Sequence, residues 1–212
     1  MPFMQRIDRS IGAVAAALFV AAVVGFGAAL PGYHALRHPV ALLGATGVPH
    51  AQAFNWLGLV LPGALAAAVA LRLLILMDRP APAVAGSGAG IAGKAVRVGL
   101  QMLMLAGLGF VGMGLLPLDA TDIDSPASQF HASAWMVWVL AFVPGALMVG
   151  AGALRLPGAR ALAWLHLGCG AAMLLAAFVL QAWLPAPLAQ RLAFACWVAW
   201  LLAALPLARR GR

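Results

Sequence analysis

The stretch FNWLGLVLPGALAAAVALRLLILM, residues 54–77, decides the fold class of this chain. Only Arg72 in it carries a charge. A helix of about 20 apolar residues is about 30 Å long, which matches the hydrocarbon core of a bilayer. The stretch is continuously apolar and does not alternate with polar residues, so it predicts a transmembrane helix and not a barrel strand.

The composition of the whole chain agrees with this stretch. The chain has 212 residues, is 65% hydrophobic and 8% charged, and has a mean hydropathy of +1.01. Soluble domains are about half apolar and about a quarter charged, so the water-soluble class is excluded. We predict an all-α polytopic membrane protein, a single domain over residues 1–212 that forms a bundle of six transmembrane helices, at about 10–31, 54–77, 97–117, 132–154, 161–184 and 189–208.

The basic residues predict the orientation of these helices. Ten Lys and Arg residues flank the ends that carry both termini, whereas only Arg37 and Arg191 lie at the other end. The positive-inside rule therefore places both termini in the cytoplasm (N-in/C-in) of a multi-pass protein of the inner (plasma) membrane. Because the basic residues occur singly between apolar runs, the net charge of +8 indicates a lipid bilayer as partner and no nucleic acid.

Two segments bear on the predicted topology. The apolar run 11–30 is too long for the apolar region of a usual signal peptide, so we predict an uncleaved first helix. The segment 78–94 is rich in Pro, Gly, Ser and Ala and predicts a flexible cytoplasmic loop.

Two helices share a short sequence pattern. LPGALAAAVALRL at 61–73 resembles VPGALMVGAGALRL at 143–156. Either the hairpin of the first two spans echoes that of the next two, or the abundance of Leu, Ala and Gly produces the likeness. In both cases Gly63 and Gly145 are expected to allow close approach of neighbouring helices.

The loop LLPLDATDIDSPASQFHAS, residues 115–133, gathers chemistry in an otherwise apolar chain. It holds three of the five acidic residues, Asp119, Asp122 and Asp124, and His131 follows them. Asp119 comes directly after the helix-ending segment Leu116-Pro117-Leu118, and His131 opens the next helix, so both positions are held by helix ends. We predict Asp119 and His131 as a catalytic acid–base pair.

The preceding outer loop carries His34, His38 and His50. His34 and His38 share a helix face, at ligand spacing, if the first helix continues to Pro39. Three interpretations of the outer residues stay open: a zinc site at these histidines, acid–base chemistry on lipid headgroups, or a solvated loop. Zinc is the one cofactor that this pattern suggests.

Within the predicted spans, His166 is the main ionisable side chain. An ionisable group inside a membrane is a functional candidate, and the structural interpretation is an interhelical hydrogen bond of a neutral imidazole. Cys169 and Cys196 are expected to be free thiols. Most of the tryptophans lie near span ends, as an interfacial belt predicts; they are Trp56, Trp135, Trp138, Trp164, Trp183, Trp197 and Trp200.

Three segments together resemble a known family: YHALRHPVALLGATGVPHAQAFNWLGLVLPG at 33–63, GMGLLPLDA at 112–120 and FHASAW at 130–135. They are similar to domain-of-unknown-function family 998, a family of six-helix prokaryotic membrane proteins. Ala41 stands where that family often has Ser, and Leu116 where it often has Phe. The resemblance implies the six-helix topology. It gives no information about an activity. The matched positions are His38, Pro39, Gly44, Asn55, Pro117, Asp119 and His131.

Two functions from different classes are compatible with these patterns. The first is a small membrane enzyme that acts on lipid headgroups at the outer face, with or without metal assistance. The second is a non-enzymatic membrane protein: a transporter, a channel or an assembly partner. A transporter needs polar groups along a path through the bundle, whereas an enzyme needs only one polar cluster at one face. The sequence has such a cluster and few polar residues within the spans, which favours the enzyme.

Overall fold

The computed structural model describes residues 2–77 and 87–210 of the chain. Within these ranges the long elements are helices and no strand is present, and six helices are long and apolar enough to cross a membrane. The all-α class is therefore confirmed. The six helices are α1 (Pro2–Ala29), α2 (Ala51–Met77), α3 (Ser87–Leu115), α4 (Pro126–Ala153), α5 (Arg160–Ala182) and α6 (Ala186–Arg210).

The N-terminal ends of α3 and α4 lie well before the predicted spans. α4 begins at Pro126 because the Ser125 side chain accepts a hydrogen bond from the Ser128 backbone N–H and so caps the helix. Proline suits the first helical position because its missing N–H would have no helical partner there. α3 begins at Ser87, so the last part of the predicted loop 78–94 is helical. Residues 78–86 of that loop lie outside the described residues.

Glycines allow α3 to pack closely between α2 and α4. A Cβ atom on Gly107 of α3 would lie 2.6 Å from the backbone nitrogen of Ala67 in α2. A Cβ atom on Gly99 would lie 2.6 Å from the carbonyl oxygen of Gly145 in α4. Gly63 of α2 is equally close to the backbone of α3. The close helix approach expected at Gly63 and Gly145 is therefore confirmed, and small residues of this kind drive helix packing in membranes.

Buried aromatic side chains fill the centre of the bundle. Trp138, Trp197 and Trp200 are each 0% exposed, and Phe110 of α3 stacks on Trp197 with ring centroids 5.3 Å apart. The interpretation of these three tryptophans as an interfacial belt is wrong, because neighbouring helices cover them on all sides. Trp183 is 74% exposed near the end of its helix, as a belt residue should be.

α2 contains a wider, π-helical turn over Asn55–Val60. Pro62 lies two residues after this turn, and it lacks the N–H that would otherwise bond to the Gly58 carbonyl. Turns of this kind recur near functional sites in helices. Here the turn carries Asn55, which bonds to the preceding loop.

Two loops meet at the end of the bundle opposite the termini, which we call the outer end after the charge-based orientation. The first outer loop, residues 30–50, contains a 3-10 turn at Val40–Gly44. The second outer loop, residues 116–125, joins α3 to α4. The Thr46 N–H donates a hydrogen bond to the Leu118 carbonyl at 2.8 Å, so the two loops are held together by their backbones.

Candidate functional site

His131 joins the beginning of α4 to the end of α3. The side chain is 8% exposed, and its Nδ1 lies 2.8 Å from the carbonyl oxygen of Leu116. A carbonyl oxygen only accepts hydrogen bonds, so Nδ1 carries the proton and a neutral ring keeps its lone pair on Nε2. His131 therefore has a fixed orientation and one ring nitrogen that can accept a hydrogen bond from a ligand.

Ser128 holds the second outer loop in place one turn before His131. It is 3% exposed, and its Oγ donates to the Asp122 carbonyl at 2.8 Å and accepts from the Asp119 N–H at 3.2 Å. Residues three apart lie on one face of a helix, so Ser128 and His131 point the same way. Ser128 is not among the site residues predicted from the sequence, and its spacing of three residues from His131 is the signal that could have identified it.

The Asp119 carboxylate bonds within its own loop. Its Oδ1 accepts hydrogen bonds from the Thr121 hydroxyl at 2.7 Å and from the Thr121 N–H at 2.9 Å. These bonds favour the charged carboxylate and lower the pKa of Asp119 below its usual value. Among the described residues, no hydrogen bond or ion pair joins Asp119 to His131. The two predicted catalytic residues thus lie at the same end of the bundle without contact.

Of the three histidines of the first outer loop, His34 and His38 lie side by side with ring centroids 6.2 Å apart, and no third His, Cys, Asp or Glu of the described residues completes a metal-binding group with them. α1 ends at Ala29, so His34 and His38 lie beyond it, in a turn that the His38 N–H closes by donating to the His34 carbonyl at 2.9 Å. The His34 backbone N–H also donates to Nδ1 of His38 at 3.0 Å. His50 is exposed and precedes α2 with a left-handed backbone, φ 62°.

These residues do not fit the zinc site that the sequence suggested. Protein zinc sites use three or four protein ligands. Within the part of the chain that the structure describes, no group of three or more His, Cys, Asp or Glu side chains is placed to hold a metal ion. One ring nitrogen of His38 is already occupied by a backbone N–H. His34 and His38 are neighbours, but two ligands are fewer than a protein zinc site uses, so the described residues do not form a complete zinc site.

Arg191 of α6 ties the first outer loop to the helices. Its guanidinium donates to the Tyr33 hydroxyl at 2.7 Å and to the His38 carbonyl at 3.0 Å. Burial raises the pKa of Tyr33, although the Arg191 charge opposes the change. Tyr33 therefore stays protonated, and Arg191 holds the first outer loop against α6.

Asn55 and Gly44, two positions that carry the family resemblance, form one buried contact. Asn55 Nδ2 donates to the Gly44 carbonyl oxygen at 2.9 Å. A Cβ atom on Gly44 would lie 1.9 Å from Asn55 Oδ1. Only glycine leaves room for this bond, which fixes the first outer loop against α2. The contact gives Asn55 a positioning role.

We expect Gly44→Ala to lower the free energy of unfolding by about 2 kcal/mol, because the new methyl group would overlap the Asn55 amide. Asn55→Ala should also destabilise, by loss of the hydrogen bond, by about 1 kcal/mol. The double variant should be more stable than the sum of the two effects predicts, since the shorter side chain at position 55 leaves space for the methyl group. Thermal unfolding of the four purified proteins in one detergent measures this coupling, and strictly additive effects would contradict the contact.

A cavity of about 420 Å³ lies beside His131 at the outer end. Small-molecule sites in proteins usually measure about 300–1,000 Å³ and combine an apolar wall with a few polar groups. The apolar lining includes Val40, Leu59, Met113, Trp135, Met136 and Phe194. The polar lining consists of Ser128, Gln129, His131, Gln181 and Gln190. Helices α2 to α6 and both outer loops contribute to this wall, so the cavity is a product of the whole fold.

His166 lies away from this cavity, in the core between α5 and α6. The Trp200 indole N–H donates to its Nε2 at 3.1 Å, and its Nδ1 lies 2.8 Å from the Leu162 carbonyl oxygen. Both ring nitrogens of a neutral imidazole are therefore used. Of the two interpretations of His166, these contacts support the structural one.

No family model, no curated protein and no solved structure matches the chain. The resemblance to family 998 stays a prediction, and functional inference begins from the geometry of the outer end.

Proposed function

We propose that this chain is an integral protein of the inner (plasma) membrane that binds an amphipathic, lipid-like molecule in the cavity beside His131. The observation that supports the proposal is the cavity itself, which combines an apolar wall with a few polar side chains. An apolar tail would contact the wall, and a polar head would contact His131 and the neighbouring glutamines.

The outer surfaces of the helices support insertion in a bilayer. Large apolar side chains face outward along the helices, for example Val24 at 64%, Leu108 at 53% and Leu140 at 54% exposed. Apolar exposure of this extent is unfavourable in water and favourable among lipid tails. The distribution of Lys and Arg supports cytoplasmic termini and an outer end that faces away from the cytoplasm.

The topology can be tested by labelling single cysteines in intact cells. In a background that carries Cys169→Ala and Cys196→Ala, the variant Ala120→Cys probes the second outer loop and Pro157→Cys probes the loop between α4 and α5. We expect a membrane-impermeant maleimide to label the Ala120→Cys protein in intact cells and the Pro157→Cys protein only after permeabilisation. The reverse pattern would contradict the N-in/C-in orientation.

Binding can be tested by blocking the cavity. Ala132 lines the cavity on α4, whereas Ala127 is exposed on the same helix and does not line it. We expect an amphipathic compound to co-purify with the wild type and with Ala127→Trp. The amount of this compound bound to Ala132→Trp should be lower by about tenfold or more. Solvent extraction of the purified proteins and mass spectrometry measure this. Equal amounts in all three proteins would contradict the proposal.

A second candidate function is acid–base chemistry on the bound molecule, with His131 as the general base. The observation that favours it is the bond from His131 Nδ1 to Leu116, which orients the ring and leaves Nε2 as the basic atom. His131→Gln keeps a polar side chain and removes the base. If the chain is an enzyme, this variant should retain the co-purified compound and lose turnover by a factor of about 100 or more. Comparing membrane lipids from cells that overproduce each form provides the readout.

A further inference from the structure

We propose that the molecule bound in this cavity has an uncharged head that carries a hydroxyl group. The inference rests on the proposed function and names the chemical class of its ligand. Long-chain alcohols, mono- and diacylglycerols and quinols belong to this class, and lipids with a phosphate or quaternary ammonium head do not.

The first argument is the charge of the wall. No Asp, Glu, Lys or Arg is among the described residues that line the cavity. Two charged side chains of the outer end already have other partners: Arg191 bonds to Tyr33 and to backbone carbonyls, and Asp119 bonds to Thr121. A charged head would therefore lose its water without gaining a counter-ion, which is strongly unfavourable.

The second argument is the hydrogen-bonding capacity that the wall leaves unused. His131 Nε2 is an acceptor, because the proton of the neutral ring is on the Nδ1 that faces Leu116. The half-buried amide of Gln190 has no hydrogen-bond partner among the described residues, so it offers a donor and an acceptor. The Nε2 groups of Gln129 and Gln181 already donate to the Asp124 and Ala177 carbonyls.

A hydroxyl group can pair with His131 Nε2 and Gln190 at once, and the indole N–H of Trp135, which also lines the cavity and has no hydrogen-bond partner among the described residues, is a further donor for its oxygen. The hydroxyl can donate its proton to His131 Nε2 and accept a hydrogen bond from the Gln190 amide. A ketone, an ester or an ether only accepts, so it would leave the His131 nitrogen unpaired in a largely apolar space. The remaining wall, which includes Val40, Met113 and Phe194, suits an alkyl or isoprenoid tail.

The test uses four photoreactive probes with one tail and different heads. Each is a sixteen-carbon chain with a diazirine and a terminal alkyne, ending in a hydroxyl, a methyl ether, a sulfate or a trimethylammonium group. Full-length protein in lipid nanodiscs is irradiated with each probe, and labelled peptides are mapped by mass spectrometry. Ala132→Trp and Ala127→Trp are the blocked form and its matched control.

We expect the alcohol to label the cavity segment around residues 129–136 in the wild type and in Ala127→Trp, and about tenfold less in Ala132→Trp. The methyl ether should label this segment about fivefold less than the alcohol, because it lacks the donor. The sulfate probe and the trimethylammonium probe should each label this segment about tenfold less than the alcohol, or less still. The variant His131→Leu should remove the difference between alcohol and ether.

Different outcomes overturn different statements. Labelling by the sulfate or by the trimethylammonium probe at the level of the alcohol would overturn the uncharged head, while the proposed binding site would stand. Equal labelling by the alcohol and the ether would overturn the hydroxyl. If no probe labels the cavity segment and all four label only outward-facing helix surfaces, both this inference and the proposed function are overturned.

Discussion

Gly107→Ala is expected to lower the free energy of unfolding by about 3 kcal/mol. The new Cβ atom would lie 2.6 Å from the Ala67 nitrogen and 2.9 Å from the Gly63 carbonyl oxygen. Both are backbone atoms of α2, so no side-chain rotation can relieve the overlap and the helices must separate. Since α3 also packs on α4 through Gly99, a shift of α3 would disturb that contact too. Unfolding can be followed through the reactivity of Cys169, a free thiol that is buried in the folded chain.

Gly168→Ala is the matched control for this prediction. Gly168 lies in α5, and a Cβ atom built there meets no atom within 4 Å. Alanine favours a helix over glycine by about 1 kcal/mol, so this variant should be as stable as the wild type or slightly more stable. If Gly107→Ala unfolds at the same temperature as Gly168→Ala, the close approach of α2 and α3 is contradicted.

Trp138→Ala is expected to destabilise the protein by about 4 kcal/mol. Its ring is fully buried and contacts Phe110, Phe194 and Trp197 with centroid distances of 5.3 Å, 5.1 Å and 5.7 Å. Removing it leaves a large cavity where three helices meet, and aromatic-to-alanine changes in cores lower stability by about 3–5 kcal/mol. Packing of this kind is a main source of helix association in membranes.

Trp164→Ala distinguishes a core from an interfacial role. Trp164 is 65% exposed on α5, so its loss should change the unfolding temperature of the detergent-solubilised protein only slightly. Trp138→Ala and Trp164→Ala remove the same side chain from two of the long apolar helices. Equal destabilisation by both would contradict the placement of Trp138 in the core.

The sequence predicted the helices well because their signal is local. A continuous apolar run of about twenty residues has few alternatives to a membrane-spanning helix. The predictions were wrong where a capping residue determines the start of a helix, or where the buried face of a helix had to be identified. Ser125 starts α4 before its apolar run begins, and an all-apolar helix gives no periodicity that distinguishes its buried face from its lipid face. For this reason the burial of Trp197 and Trp200 could not be predicted.

The outer-end site was predicted in part. His131 proved to be positioned by a helix end and lines a cavity. The partner chosen for it, Asp119, bonds instead to Thr121, two residues away, and the Asp-x-Thr spacing is a known turn signal that could have warned against the pairing. The contact of Arg191 with Tyr33 joins residues 158 apart, and no local pattern predicts such a contact.

The most direct test of ligand binding at the outer end is an experimental density map of the protein in lipid nanodiscs, bound to an antibody fragment that makes it large enough for electron microscopy. We predict elongated density in the cavity, with its head within hydrogen-bond distance of His131 Nε2 and Gln190 and its tail against Phe194. The same map of Ala132→Trp should lack this density. A cavity that is filled by its own side chains, or that contains only water in the wild type, would contradict the proposed function.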